Sequence, residues 1–98
     1  MYVVSEIMQC KPGKVRDMVK KFKSLNDLAP KLGLKPFRIL TDVSGEPFWT
    51  VVAVTEVESL DEFFGAMDKA MANEEARTIL AGYHDLVVSG RREIYKAE

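Results

Sequence analysis

Phe48-Trp49-Thr50-Val51-Val52-Ala53-Val54-Thr55-Glu56-Val57 is the stretch on which the fold turns. Alternation along a strand sends Phe48, Thr50, Val52 and Val54 to one face. Trp49, Val51, Ala53, Thr55 and Val57 then share the other. Both sets are largely apolar, so this strand needs cover on both sides.

Immediately upstream, Ser44-Gly45-Glu46-Pro47 is turn chemistry between two strand-like runs, which predicts an antiparallel hairpin. Its other arm is Leu34 to Val43, with Phe37, Ile39, Thr41 and Val43 on one face. Arg38, Leu40 and Asp42 share the opposite face. Downstream, Ser59-Leu60-Asp61-Glu62 has the spacing of a capping box. Phe63, Phe64, Met67, Ala70 and Met71 follow as the apolar face of a helix. Asn73 before Glu74 and Glu75 reads as a second N-cap, opening a short helix that Gly82 stops. Leu86 to Tyr95 is the last strand, with a bulge or bend expected at Ser89 and Gly90.

At the other end, Tyr2 to Cys10 is the first strand. Lys11-Pro12-Gly13 breaks it, and Val15, Met18, Val19, Phe22 and Leu25 then repeat at helical spacing. Pro30 should kink or end that helix near Ala29, with Gly33 as its stop. The order is βαββαβ over residues 1–98. It is a single α+β, ferredoxin-like domain, with a four-stranded antiparallel sheet and both helices on one face. Two helices cover one side only. The other would expose Val, Ile, Leu and aromatic residues from four strands, more apolar surface than a monomer usually leaves bare. A homodimer through the open sheet face is therefore expected.

With 98 residues, 47% hydrophobic and 30% charged, the composition fits a soluble globular domain. A formal charge of −1 offers no general attraction to nucleic acid or anionic membrane. The charge is nonetheless divided: nine basic and two acidic residues lie between Lys11 and Arg38. Nine acidic residues and one basic lie between Asp42 and Glu75. The simplest reading is a basic first helix beside an acidic second one. No apolar run approaches the roughly 20 residues of a membrane span. The start MYVVSEIMQC lacks a basic leader with an apolar core, and the single Cys10 cannot form an internal disulfide. The cytoplasm is the expected compartment.

Candidate chemistry is sparse. RNA recognition on this topology wants basic or stacking residues along the third strand, whose centre here is Val51-Val52-Ala53-Val54. One His and one Cys exclude a His/Cys metal cluster within a chain. Tyr83-His84-Asp85 is the densest polar group. His84 is an acid–base candidate that Tyr83 or Asp85 could orient, although an exposed loop is the simpler account. Glu6 interrupts an apolar strand, either as a pocket carboxylate or, more simply, as the ion-pair partner of Arg38 or Arg92. Glu6, Trp49 and His84 are the catalytic candidates. Arg38, Phe64, Met67 and Tyr83 are the ligand-binding candidates, and no metal or cofactor signature is present.

With these residues placed, the chain resembles the dimeric α+β barrel superfamily, nearest to its antibiotic-biosynthesis-monooxygenase-like and NIPSNAP-like branches. The resemblance is carried by Lys11-Pro12-Gly13-Lys14, Ser44-Gly45, Ser59-Leu60-Asp61-Glu62-Phe63 and Gly90-Arg91-Arg92-Glu93-Ile94-Tyr95. It implies a homodimer whose sheets form a shared barrel, with a ligand cleft between sheet and helices. Haem-degrading members pair an Asn in the first strand with a Trp and a His on the second helix. None of the three is at its place here. Cofactor-free monooxygenases of the superfamily oxidise aromatic polyketides with the substrate's own electrons. Trp49, Tyr83 and Arg38 are the residues that the resemblance would enlist.

Overall fold

A computed structural model describes residues 1–45 and 47–98. Its strands are β1 (Tyr2–Cys10), β2 (Arg38–Thr41), β3 (Thr50–Val57) and β4 (Val87–Lys96). The helices are α1 (Val15–Leu28), α2 (Leu60–Ala72) and α3 (Glu74–Leu80), with 3-10 turns at Ala29–Leu32 and Tyr83–Leu86. The strands form one antiparallel sheet in the order β2-β3-β1-β4.

Alternation in β3 separates the two expected sets, and the helices cover the second of them. Val51, Ala53, Thr55 and Val57 are buried beneath the helices, while Val52 and Val54 on the reverse face are only half-buried. One core cluster joins Cys10, Val51 and Ala53 to Met18, Val19 and Phe22 of α1. A second joins Val4 and Val57 to Phe63 of α2. On the other side, Val3, Ile7, Val52, Val54 and Leu40 have no described element of this chain above them.

The hairpin strands are shorter than the pattern predicts, for two reasons. Trp49 has φ 65°, a left-handed backbone that strand geometry cannot contain, so β3 begins at Thr50 and Phe48 and Trp49 fall outside it. Upstream, Asn26 of α1 takes over the backbone of Phe37. Its Nδ2 donates to the Phe37 carbonyl and its Oδ1 accepts the Phe37 N–H, both at 2.8 Å. Those groups are therefore lost to the ladder, and Pro36 has no N–H to offer. Val43, expected on the Phe37 face, is fully exposed. The expected Ser44–Pro47 turn includes Glu46, which lies outside the described residues; beyond it, Thr50 N–H donates to Asp42 Oδ1 at 2.7 Å. Asn26→Ala should cost about 1–3 kcal/mol, because it strands two part-buried backbone groups. Urea unfolding will show this, and a loss below about 0.5 kcal/mol would mean that water replaces the amide there.

Helix boundaries follow their sequence signals. Gly13 and Gly33 adopt φ 80° and 67° at either end of the α1 region, and Pro30 lies in the first turn of the 3-10 segment. Ser59 Oγ accepts the Glu62 N–H at 3.1 Å, and Glu62 Oε2 accepts the Glu58 N–H at 3.0 Å. Asn73 Oδ1 caps α3 by accepting the Ala76 N–H at 2.9 Å. The expected apolar face of α2 needs one correction. Phe63 is buried, but Phe64 and Met71 are 44% and 48% exposed. Adjacent helical residues diverge by about 100°, so only one of Phe63 and Phe64 can face the sheet. Lys21 of the basic first helix ties it to the end of α3, its Nζ donating to the carbonyls of Ile79 and Ala81 at 3.1 and 2.7 Å. In β4 the irregularity falls at Val88, since Gln9 faces Ser89 while Cys10 faces Val87. This is one residue before the expected position.

Candidate functional site

Glu6 is the single charged side chain that β1 sends towards the helices. The β1–β4 register sets Arg92 directly opposite it, and Arg92 Nε donates to Glu6 Oε1 at 2.5 Å. The pair is half-sheltered, with side-chain exposures of 17% for Glu6 and 34% for Arg92. Its cover comes from α2. The guanidinium lies 5.2 Å from the Phe63 ring centre and 5.9 Å from that of Phe64, and Arg92 Nη2 is 3.4 Å from Met67 Sδ. Two aromatic faces and a thioether thus compensate a cation drawn out of water.

Beside this pair runs a groove of about 360 Å³ lined by Glu6, Met8, Tyr83, His84, Val87 and Arg92, among others. The Tyr83–Leu86 turn delivers its two aromatic residues there. Gly82 takes φ 80° to enter the turn, Asp85 N–H donates to the Gly82 carbonyl at 3.1 Å, and Lys11 N–H donates to the Leu86 carbonyl at 2.8 Å. The Tyr83 and His84 rings stack with centroids 4.0 Å apart. Among the described residues, no hydrogen bond joins His84 to Tyr83 or Asp85. A second groove, about 450 Å³, separates α2 from the Gly33–Phe37 segment. It is floored by Thr55 and Val57, walled by Leu34, Phe37 and Met67, and rimmed by Lys35 and Glu62, whose charged atoms are 3.9 Å apart.

Glu6, His84 and Tyr83 therefore share one groove, and Phe64 and Met67 contact the guanidinium at its side. Two candidates lie elsewhere. Arg38 is exposed on β2, paired with Val54 on the uncovered sheet face, with β3 between it and β1. It cannot reach Glu6, whose partner is Arg92. Trp49 lies at the root of the hairpin, in a separate groove with Phe48, Asp42 and Arg16. Arg92 is the residue that sequence reasoning left outside the site. Its signal was the isolated Glu6, which needs a cation, but only the strand register chooses between two arginines.

Cys10 is 1% exposed in the α1 core, and burial pushes its thiol above the usual range. The thiolate is the reactive form, so iodoacetamide at pH 8 should label the native chain at least about 100-fold more slowly than the unfolded one. Equal rates would place Cys10 outside the core.

No protein-family model matches the sequence, and no curated protein matches it. Solved structures do. A NIPSNAP family protein from Agrobacterium tumefaciens superposes with a TM-score of 0.83 at 19% identity, over 99% of this chain and 85% of its own. This chain shares the fold of that protein. A NIPSNAP domain protein from Burkholderia xenovorans matches with a TM-score of 0.81 at 13% identity, covering 100% of this chain and 95% of its own. An antibiotic biosynthesis monooxygenase-like protein from Nitrosomonas europaea shares the fold at TM-score 0.75 and 13% identity, covering 99% of this chain and 98% of its own. At such identities the likeness is one of fold.

Proposed function

We propose that this NIPSNAP-fold protein is a cytoplasmic homodimer that binds a small, partly aromatic molecule in the groove beside Glu6 and Arg92. It acts on that molecule by acid–base chemistry without a bound cofactor. One observation carries the reading: an imidazole, a phenol and a half-sheltered carboxylate–guanidinium pair line one groove. Histidine is the side-chain type suited to exchanging protons near neutral pH. His84 would take a proton from an activated C–H or O–H of the ligand, and Arg92, held by Glu6, would stabilise the resulting oxyanion. Monooxygenation is the finer form of the reading, supported by the neighbour described as an antibiotic biosynthesis monooxygenase-like protein. The deprotonated ligand then supplies the electrons to dioxygen. A ring methylene becomes a carbonyl, its two hydrogens leave with the second oxygen atom as water, and no external reductant is consumed.

A thermal-shift screen against quinones, aromatic polyketides and haem tests the site. A ligand at 100 times its Kd stabilises the native state by about 2.7 kcal/mol. The expected shift occurs with an aromatic polyketide or quinone and is lost in His84→Ala. No shift across the panel would favour a non-enzymatic binding and assembly module, the second reading, for which the uncovered face with Ile7, Val52 and Val54 is the supporting observation. The dimer belongs to both readings. Light scattering should return twice the 11.1 kDa of the chain. A stable monomer at micromolar concentration would remove the dimer from each.

A further inference from the structure

Trp49 has no part in that groove, yet its conformation is unusual and firmly held. We propose that the groove between the first turn of α1 and the root of the β2–β3 hairpin is a second binding site, for a small hydroxylated aromatic carboxylate. It goes beyond the function proposed above and shares no residue with the Glu6 groove.

The groove is open to solvent, has a volume of about 450 Å³ and is lined by Arg16, Asp42, Phe48 and Trp49 with Gly13, Val15 and Thr41. That volume suits a ligand of one or two rings. A left-handed backbone at a residue as bulky as tryptophan persists only where its surroundings over-determine it. Here the Trp49 carbonyl accepts the Cys10 N–H at 2.8 Å, while the next residue is pinned twice. Thr50 N–H donates to Asp42 Oδ1 and Thr50 Oγ1 donates to the Pro47 carbonyl, each at 2.7 Å. The chain thus holds its sole tryptophan 43% exposed at the groove, next to Phe48 at 71%. These rings cover no core cluster, and they offer flat surfaces for stacking.

Charge selects the ligand. Arg16 is exposed and has no ion pair among the described residues, and its planar fork suits a carboxylate. Asp42 spends one oxygen on Thr50 N–H and keeps acceptor capacity for a ligand hydroxyl. It also disfavours multiply charged anions such as phosphate. An aromatic ring with one carboxylate and one hydroxyl meets all three demands.

Because Trp49 is the only tryptophan, its emission reports this groove and no other. Titrating the intact protein with 4-hydroxybenzoate should quench that emission saturably, with Kd on the order of 0.1–1 mM. The Gly13 and Val15 amide resonances should move along the same isotherm. Arg16→Gln should weaken binding at least tenfold. Lys20→Gln, one turn further along the exposed side of α1, and His84→Ala, in the Glu6 groove, should leave the titration unchanged. The uncharged 4-hydroxybenzamide should bind at least tenfold more weakly. Absence of a saturable change up to about 10 mM overturns the site, as does equal weakening by Arg16→Gln and Lys20→Gln. A Trp49 emission that responds to protein dilution but not to ligand also overturns it, giving the groove to a second copy of the chain.

Discussion

Phe63→Ala should lower the unfolding free energy by about 3–5 kcal/mol, while Phe64→Ala, one position along, should cost less than about 1 kcal/mol. The rings are chemically identical and differ only in where α2 directs them. Phe63 is 3% exposed and closes the cluster with Val4 and Val57, whereas Phe64 is 44% exposed on the flank. Truncating Phe63 leaves a cavity against two strands and removes the nearer aromatic face from Arg92. In a domain of this size each kcal/mol shifts Tm by about 4–8 °C, so calorimetry separates the two variants easily. Equal losses would mean that α2 is rotated from the orientation described above.

The second large effect concerns the ion pair. Arg92→Leu leaves the Glu6 carboxylate, 17% exposed, without its counter-charge. Breaking a fully buried pair costs about 3–5 kcal/mol; because Arg92 is a third exposed, about 2 kcal/mol is expected. The double variant Glu6→Leu/Arg92→Leu should recover most of that loss, because two matched apolar residues need no partner. Chemical unfolding of the four proteins in this cycle measures the coupling. If the double variant is as unstable as the sum of the singles, the residues act through packing alone. The cycle also bears on function. A ligand oxyanion could approach the guanidinium only if Glu6 leaves it donors to spare, and Nη2 faces the Met67 sulfur, a weak acceptor.

Local features were largely legible from residue types. The two-residue period grouped Val51, Ala53, Thr55 and Val57 on one face of β3, while the packing of α1 and α2 made that face the buried one. Ser59 and Asn73 cap α2 and α3 as their spacing implied. Gly33 and Gly82 take the left-handed backbone expected at helix stops. Each of these readings depends on atoms only a few residues apart. The errors arose where a distant partner intervened. Asn26 claims the backbone of Phe37 and shortens β2, and the Cys10 N–H holds the Trp49 carbonyl at the bend that shortens β3. Both effects came from side-chain or backbone groups on other elements that no local period could register.

By itself the sequence determined the element order, the caps, the two residue sets that share the faces of the central strand and the surplus of apolar surface that two helices leave uncovered. These follow from the period of side-chain directions along a strand or helix, which is a local property of the backbone. Only the tertiary structure decided that Glu6 meets Arg92 rather than Arg38, that His84 and Tyr83 join them, and that Trp49 does not. Glu6 and Arg92 are 86 positions apart, and their meeting depends on the register in which β4 closes against β1. Burial of apolar residues such as Ile94, which pairs with Val4, sets that register, and a shift of one residue would have carried both Ile94 and Arg92 to the other face of the sheet.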